Sequence, residues 1–257
     1  MKNDLLKRFL TLSAVGLTAV STMAQSPDKT TPQSTSIIQK TVDPKAIDKT
    51  YEAIRTHYEG FHSQPYCGIF NGKKTVKIGF GTPIEREDFI KLESSVDQYL
   101  PSLKQAENVK IDAYNATQNG QFFTSTHDDF RILNHSIRKY TKQYLAKMEA
   151  EKYRPLCLKY NMDYDALPSE AKAGIFCVDM ATGGRVETYK NFLSAIAKKD
   201  WLNAAKQSFV PESSYLRNNP TANKTAPTFF NRSMKTLFNT LAVTKTKQLN
   251  IAIHSGR

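Results

Sequence analysis

The chain has 257 residues, of which 40% are apolar and 11% aromatic, and its 36 Lys and Arg outweigh 24 Asp and Glu to leave a net charge of +12. That composition supplies a core for one domain with appendages and excludes a chain disordered throughout. The charge suits a polyanion: nucleic acid, an anionic membrane surface or a bacterial wall polymer.

Residues 1–8 carry Lys2, Lys7 and Arg8 ahead of an apolar run at 9–20, which is too short to span a bilayer as an ordinary helix. Small residues at 21–24 then predict cleavage after Ala24, so 1–24 reads as a signal peptide. The expected product is periplasmic or secreted, with no stable membrane insertion and a charge of about +10. Export argues against nucleic acid as the partner. Residues 25–42, rich in Ser, Thr, Pro and Gln, read as a flexible linker.

Asp43-Pro44 predicts a helix start, with Ile47, Tyr51, Ile54 and Tyr58 at helical spacing. This helix delivers Glu59 to its end, where Gly60 stops it. Two strand-like runs follow, joined at Asn71-Gly72, and the second closes on Gly79 and Gly81. A lone acid beside a hairpin that can wall a cleft is a layout suited to cutting a glycosidic bond.

The pattern next predicts a helix over 85–100, ended by Pro101, and an irregular insertion near 101–123. A long helix over 126–153 is capped by Ser125 with Asp128. His127-Asp128-Asp129 fits helix N-terminal chemistry better than metal ligation. Residues 165–184 read as a buried helix ended by a glycine pair, with Asp179 near its end. Short helices at 187–197 and 200–209 pack around Trp201, 211–227 is loop-like, a last helix covers 229–241, and 244–257 forms a tail. Cys177 reads as core, and Cys67 and Cys157 could pair. No spacing points to a metal, and no cofactor is expected.

Several motifs share one order. Glu59-Gly60, Tyr66 and Lys77-Ile78-Gly79-Phe80-Gly81 come first. Leu167-Pro168, Ala171, Phe176 and the stretch from Asp179 to Gly183 follow, then 191–209, then Arg232 to Phe238. Together they resemble the phage-lysozyme family, the endolysin-type muramidases, over roughly 45–241. The resemblance implies an α+β, mainly α fold: a helical domain over 43–243 with a small hairpin lining the cleft. It also implies cleavage of the β-1,4 bond between N-acetylmuramic acid and N-acetylglucosamine in peptidoglycan glycan strands. Glu59 is then the general acid, its pKa raised by burial beside Tyr58 and Phe61. Tyr66, Thr75, Lys77 and Asp179 are the candidate substrate-binding residues.

Three positions depart from the family pattern. The second acid, nine residues after the Glu, is Gly68; the Thr opening the glycine motif is Lys77; the helix-end Asn is Asp179. Two routes stay open. Thr75 or Asp179 could position a water for inverting hydrolysis, or the muramic 6-hydroxyl could attack internally as in a lytic transglycosylase. Lys77 could bind a lactyl or peptide carboxylate. The alternative is an inactive lysozyme-like protein, with Glu59 in an ion pair to Arg232, that binds peptidoglycan or a periplasmic partner. An inhibitor or immunity protein would leave no mark in the sequence.

Overall fold

The computed structural model describes residues 42–58, 61–121 and 130–255. The expected signal peptide, nearly all of the linker, Glu59 and His127-Asp128-Asp129 lie outside the described residues. Mainly helical, at 64% helix, the described chain carries one three-stranded antiparallel sheet, as the α+β, mainly α reading expected.

Helix α1 (Pro44–His57) starts as its sequence dictates. The Asp43 carboxylate accepts the Lys45 backbone N–H at 3.0 Å, and Pro44 sits where no N–H is needed. Strands β1 (His62–Phe70) and β2 (Lys73–Gly79) turn through Asn71 and Gly72, both left-handed at φ 49° and 77°. That is the backbone a two-residue hairpin needs to keep the strands' twist. A third strand, β3 (Thr82–Ile84), pairs with β2 and was not expected.

The register sets Tyr66 opposite Lys77, Cys67 opposite Val76 and Gly68 opposite Thr75. Side chains alternate across a strand, so Tyr66, Gly68, Thr75 and Lys77 share one face and Cys67, Val76 and Ile78 the other. The second face joins a smaller core with Phe89, Val96, Ala113 and Ile132.

The helix predicted over 85–100 is two pieces, α2 (Arg86–Lys91) and α3 (Val96–Tyr99). Between them the Ser94 backbone N–H and hydroxyl both donate to the Asp97 carboxylate, at 2.7 and 2.9 Å, and Ser94 bridges to Ile132. Local side-chain bonds of this kind compete with helix continuity. The stretch expected to be irregular is instead α4 (Leu103–Gln118). Its buried face is Ala106, Lys110, Ala113, Tyr114 and Thr117, too polar and small to give a strong apolar period.

Helix α5 (Asn134–Met148) runs through a π-helical turn (Glu149–Tyr153) into α6 (Arg154–Leu158). Pro155 explains the widened turn, since it has no N–H to give and its ring displaces the carbonyl four residues back. In α7 (Ser169–Ala181) every residue from Ala171 to Ala181 is buried. Then come α8 (Lys190–Ala197), α9 (Trp201–Gln207), α10 (Glu212–Asn218) in the supposed loop, and α11 (Ala226–Ser255). The last takes in both the predicted final helix and most of the expected tail.

The main core gathers α1, α7, α8, α9 and α11 around Phe176, Phe192 and Phe238. All three cysteines are buried and free, so the Cys67–Cys157 bond considered above does not exist.

Candidate functional site

Gly79 and Gly81, both left-handed at φ 58° and 89°, turn Phe80 inward. Its ring meets Tyr51, Tyr58 and Phe61 edge-on, with centroids 6.1, 5.9 and 5.2 Å away. These four rings, with Arg55, Asn134, His135 and Arg138, line a cleft of about 610 Å³ at the end of α1. Tyr58 and Phe61 are the described residues on either side of Glu59-Gly60. No carboxylate is among the described residues lining this cleft.

His135 also borders a second, larger groove of about 790 Å³ along α5. Its hairpin wall is Phe70, Asn71, Lys73 and Thr75. Its helix wall carries Lys139, Gln143, Lys147 and Glu151 at four-residue intervals, beside the stacked rings of Tyr140 and Tyr144. Thr75 therefore belongs to the groove and not to the aromatic cleft. Its hydroxyl donates to the Lys73 carbonyl at 3.2 Å.

Lys77 is 0% exposed. Its ammonium donates to Asn219 Oδ1 at 3.0 Å and to the carbonyls of Asn218 and Met180 at 3.4 and 3.5 Å. Three neutral oxygens do not offset the loss of water, and burial lowers its pKa to about 8 against the partial help of Cys67 and Asp179. The lysine proposed to meet a substrate carboxylate instead ties the hairpin to the ends of α7 and α10.

Gly68, where the sequence resemblance would place a second acid, is shaped by the same side chain. A Cβ there would stand 2.6 Å from both Cδ and Cε of Lys77. The long stem of Lys77 thus fills the space that a side chain at 68 would occupy. The hairpin is closed down elsewhere too. The Asn71 N–H donates to the Gly183 carbonyl at 2.8 Å, and the Thr221 hydroxyl to the Cys67 carbonyl at 3.1 Å.

Both carboxylate oxygens of Asp179 are engaged within the protein, and the residue is buried from solvent. Oδ1 accepts from Lys152 Nζ at 2.7 Å and the Val186 N–H at 3.0 Å, while Oδ2 accepts from the Tyr153 hydroxyl at 3.1 Å. Burial raises its pKa, and Lys152 opposes the rise. It is 0% exposed and pins the π turn to the loop after α7. Tyr66 is half-buried, its ring tilted against His62 with centroids 4.9 Å apart and its hydroxyl against Gly81; burial raises its pKa.

The structure thus gathers Tyr66, Gly68, Thr75 and Lys77 on one hairpin face, and Asp179, near enough to Lys77 to favour its charge, is bound instead to Lys152, Tyr153 and Val186. The sequence reading passed over Phe80, Tyr51 and Arg138 as site-builders, although the glycines either side of Phe80 were a signal that its ring turns inward. Among the described residues no group of three His, Cys, Asp or Glu converges to hold a metal, and no helix is long and apolar enough to cross a membrane. Compared with known proteins, the chain matches no family model, no curated protein and no solved structure.

Proposed function

We propose that this protein cleaves the glycan strands of peptidoglycan outside the cytoplasm, with Glu59 as the single acid and base. The observation carrying the proposal is the ring-walled cleft whose lining includes Tyr58 and Phe61, the described neighbours of Glu59-Gly60 in the chain. Tyr51 and Phe80 are buried and form the floor, while the exposed ring of Phe61 and the half-buried ring of Tyr58 suit the apolar face of a sugar, and Arg55 and Arg138, both bonded to Glu52, flank them. With Asp179 fully engaged and Thr75 in the other groove, the route needing only one carboxyl group is favoured. Glu59 protonates the bridging oxygen as the C1–O bond breaks. The muramyl 6-hydroxyl adds to C1, forming the anhydro ring, and its proton returns to Glu59.

A second reading keeps the binding and drops the cutting. It is favoured by the latch of Lys77, Asn71 and Thr221, which presses the hairpin onto the C-terminal half where the resemblance would put a strand.

Digestion of purified peptidoglycan by the chain starting at Gln25, followed by mass analysis, separates the two. Anhydro-muropeptides that vanish with Glu59→Gln are expected. Reducing ends would replace internal attack with hydrolysis. No products from folded protein, or products untouched by the substitution, would end the catalytic assignment and leave the binding reading.

A further inference from the structure

The described surface gathers exposed large apolar side chains beside cations where α9 meets α11. On α9 and its end, Leu202, Ala205, Lys206 and Phe209 follow at intervals of three, four and seven residues, so they share one face. On α11, Phe229, Arg232, Lys235 and Asn239 are spaced by three, three and four residues and likewise share one face. The two faces adjoin: Asn231 exchanges hydrogen bonds of 2.9 and 3.0 Å with the Val210 backbone. Between them lies a shallow depression of about 580 Å³ lined by Leu202, Ala205, Lys206, Phe209, Asn231, Arg232, Lys235 and Asn239. Leu202 and Phe209 are each 58% exposed and Phe229 is 40% exposed. Arg232 lies over the Phe229 ring at 4.8 Å. The lining contains three cations and no carboxylate.

We propose that this α9–α11 face docks on the surface of an anionic phospholipid bilayer. The chemistry singles out that partner. A soluble polyanion would pair with Lys206 and Lys235 but leave Leu202 and Phe209 in water. Leu202 and Phe209 are exposed side chains able to enter an acyl boundary, and the lysines lining the same depression can meet phosphates. Nothing in this face overlaps the aromatic cleft or the groove along α5, so the inference stands apart from the glycan-cleaving proposal.

The test is co-sedimentation of the chain starting at Gln25 with vesicles of mixed phosphatidylglycerol and phosphatidylcholine, beside vesicles of phosphatidylcholine alone. That chain retains the whole compact unit Gln39–Arg257 and lacks the apolar run at 9–20, which would bind lipid by itself. Binding to the anionic vesicles is expected, weakening as salt rises. The double variant Leu202→Ser with Phe209→Ser should lose about tenfold or more in affinity, because two exposed side chains no longer enter the boundary. Lys206→Glu with Lys235→Glu should lose the preference for anionic lipid. Circular dichroism should stay unchanged for both, since all four side chains are exposed. Absence of anionic-vesicle binding overturns the proposal, as do variants that bind like the parent or equal binding to phosphatidylcholine. Retention on soluble polyglutamate without vesicle binding would also overturn it, assigning the face to an acidic macromolecule.

Discussion

Lys77 is buried without a carboxylate in hydrogen-bonding reach, and it carries a signature in pH. An unfolded lysine titrates near 10.5 and the folded one near 8. Between those values the unfolded state binds more protons, so stability rises with pH across that window. Below about pH 8 both states are charged and the full cost of burying the ammonium remains. Lys77→Met lacks this dependence. Wild type should therefore gain roughly 3 kcal/mol on the variant between pH 7 and 10.5, measured by urea unfolding. A gap that stays constant with pH would mean the ammonium is solvated. The neighbouring glycine gives a paired test. Gly68→Asp should cost roughly 1–3 kcal/mol through overpacking against the lysine stem. Gly68→Asp with Lys77→Thr should recover most of that, because the stem is gone. If the double variant is no better than the single, the two positions are not coupled.

Among the elements, α7 and α11 decide the main core, and their contact is tight at Gly174. A Cβ there would stand 2.3 Å from Phe238 Cζ, on a ring that is itself fully buried and edge-on to Phe192 at 5.5 Å. Alanine in a helix interior is worth about 1 kcal/mol over glycine. The clash, at roughly 1–3 kcal/mol, outweighs it. Gly174→Ala should thus lower the urea midpoint, and Gly174→Ala with Phe238→Leu should raise it again by making room. Stabilisation by the single alanine would show that the two helices can separate at no cost. The hairpin is an element of the other kind, written locally. Asn71-Gly72 sets its turn, and alternation sets its two faces. What covers those faces comes from α4, α7 and α10, far along the chain.

The whole molecule combines a main helical core with a smaller one under the sheet, and the sequence announced them unequally. Asp43-Pro44, Asn71-Gly72 and the glycine pair after Ala181 were legible because caps and turns depend on a few adjacent residues. The buried run of α7 was legible because a helix apolar on all sides is a composition signal. Helices α4 and α10 were not, since their buried faces include Lys110, Thr117 and Asn218, whose burial depends on distant partners. The break between α2 and α3 was missed because the Ser94–Asp97 bonds outcompeted an apolar period that continued through them. The site divided the same way. Short-range chemistry in the sequence determined the mainly helical fold class, the hairpin and the shared face of Tyr66, Gly68, Thr75 and Lys77. Only the tertiary structure decided that Lys77 points inward to Asn219, that its stem excludes a side chain at 68, and that Asp179 belongs to Lys152. Each of those outcomes is a contact between segments far apart in the chain, where burial and hydrogen bonding choose among uses that a lysine or an aspartate has equally open to it in the sequence.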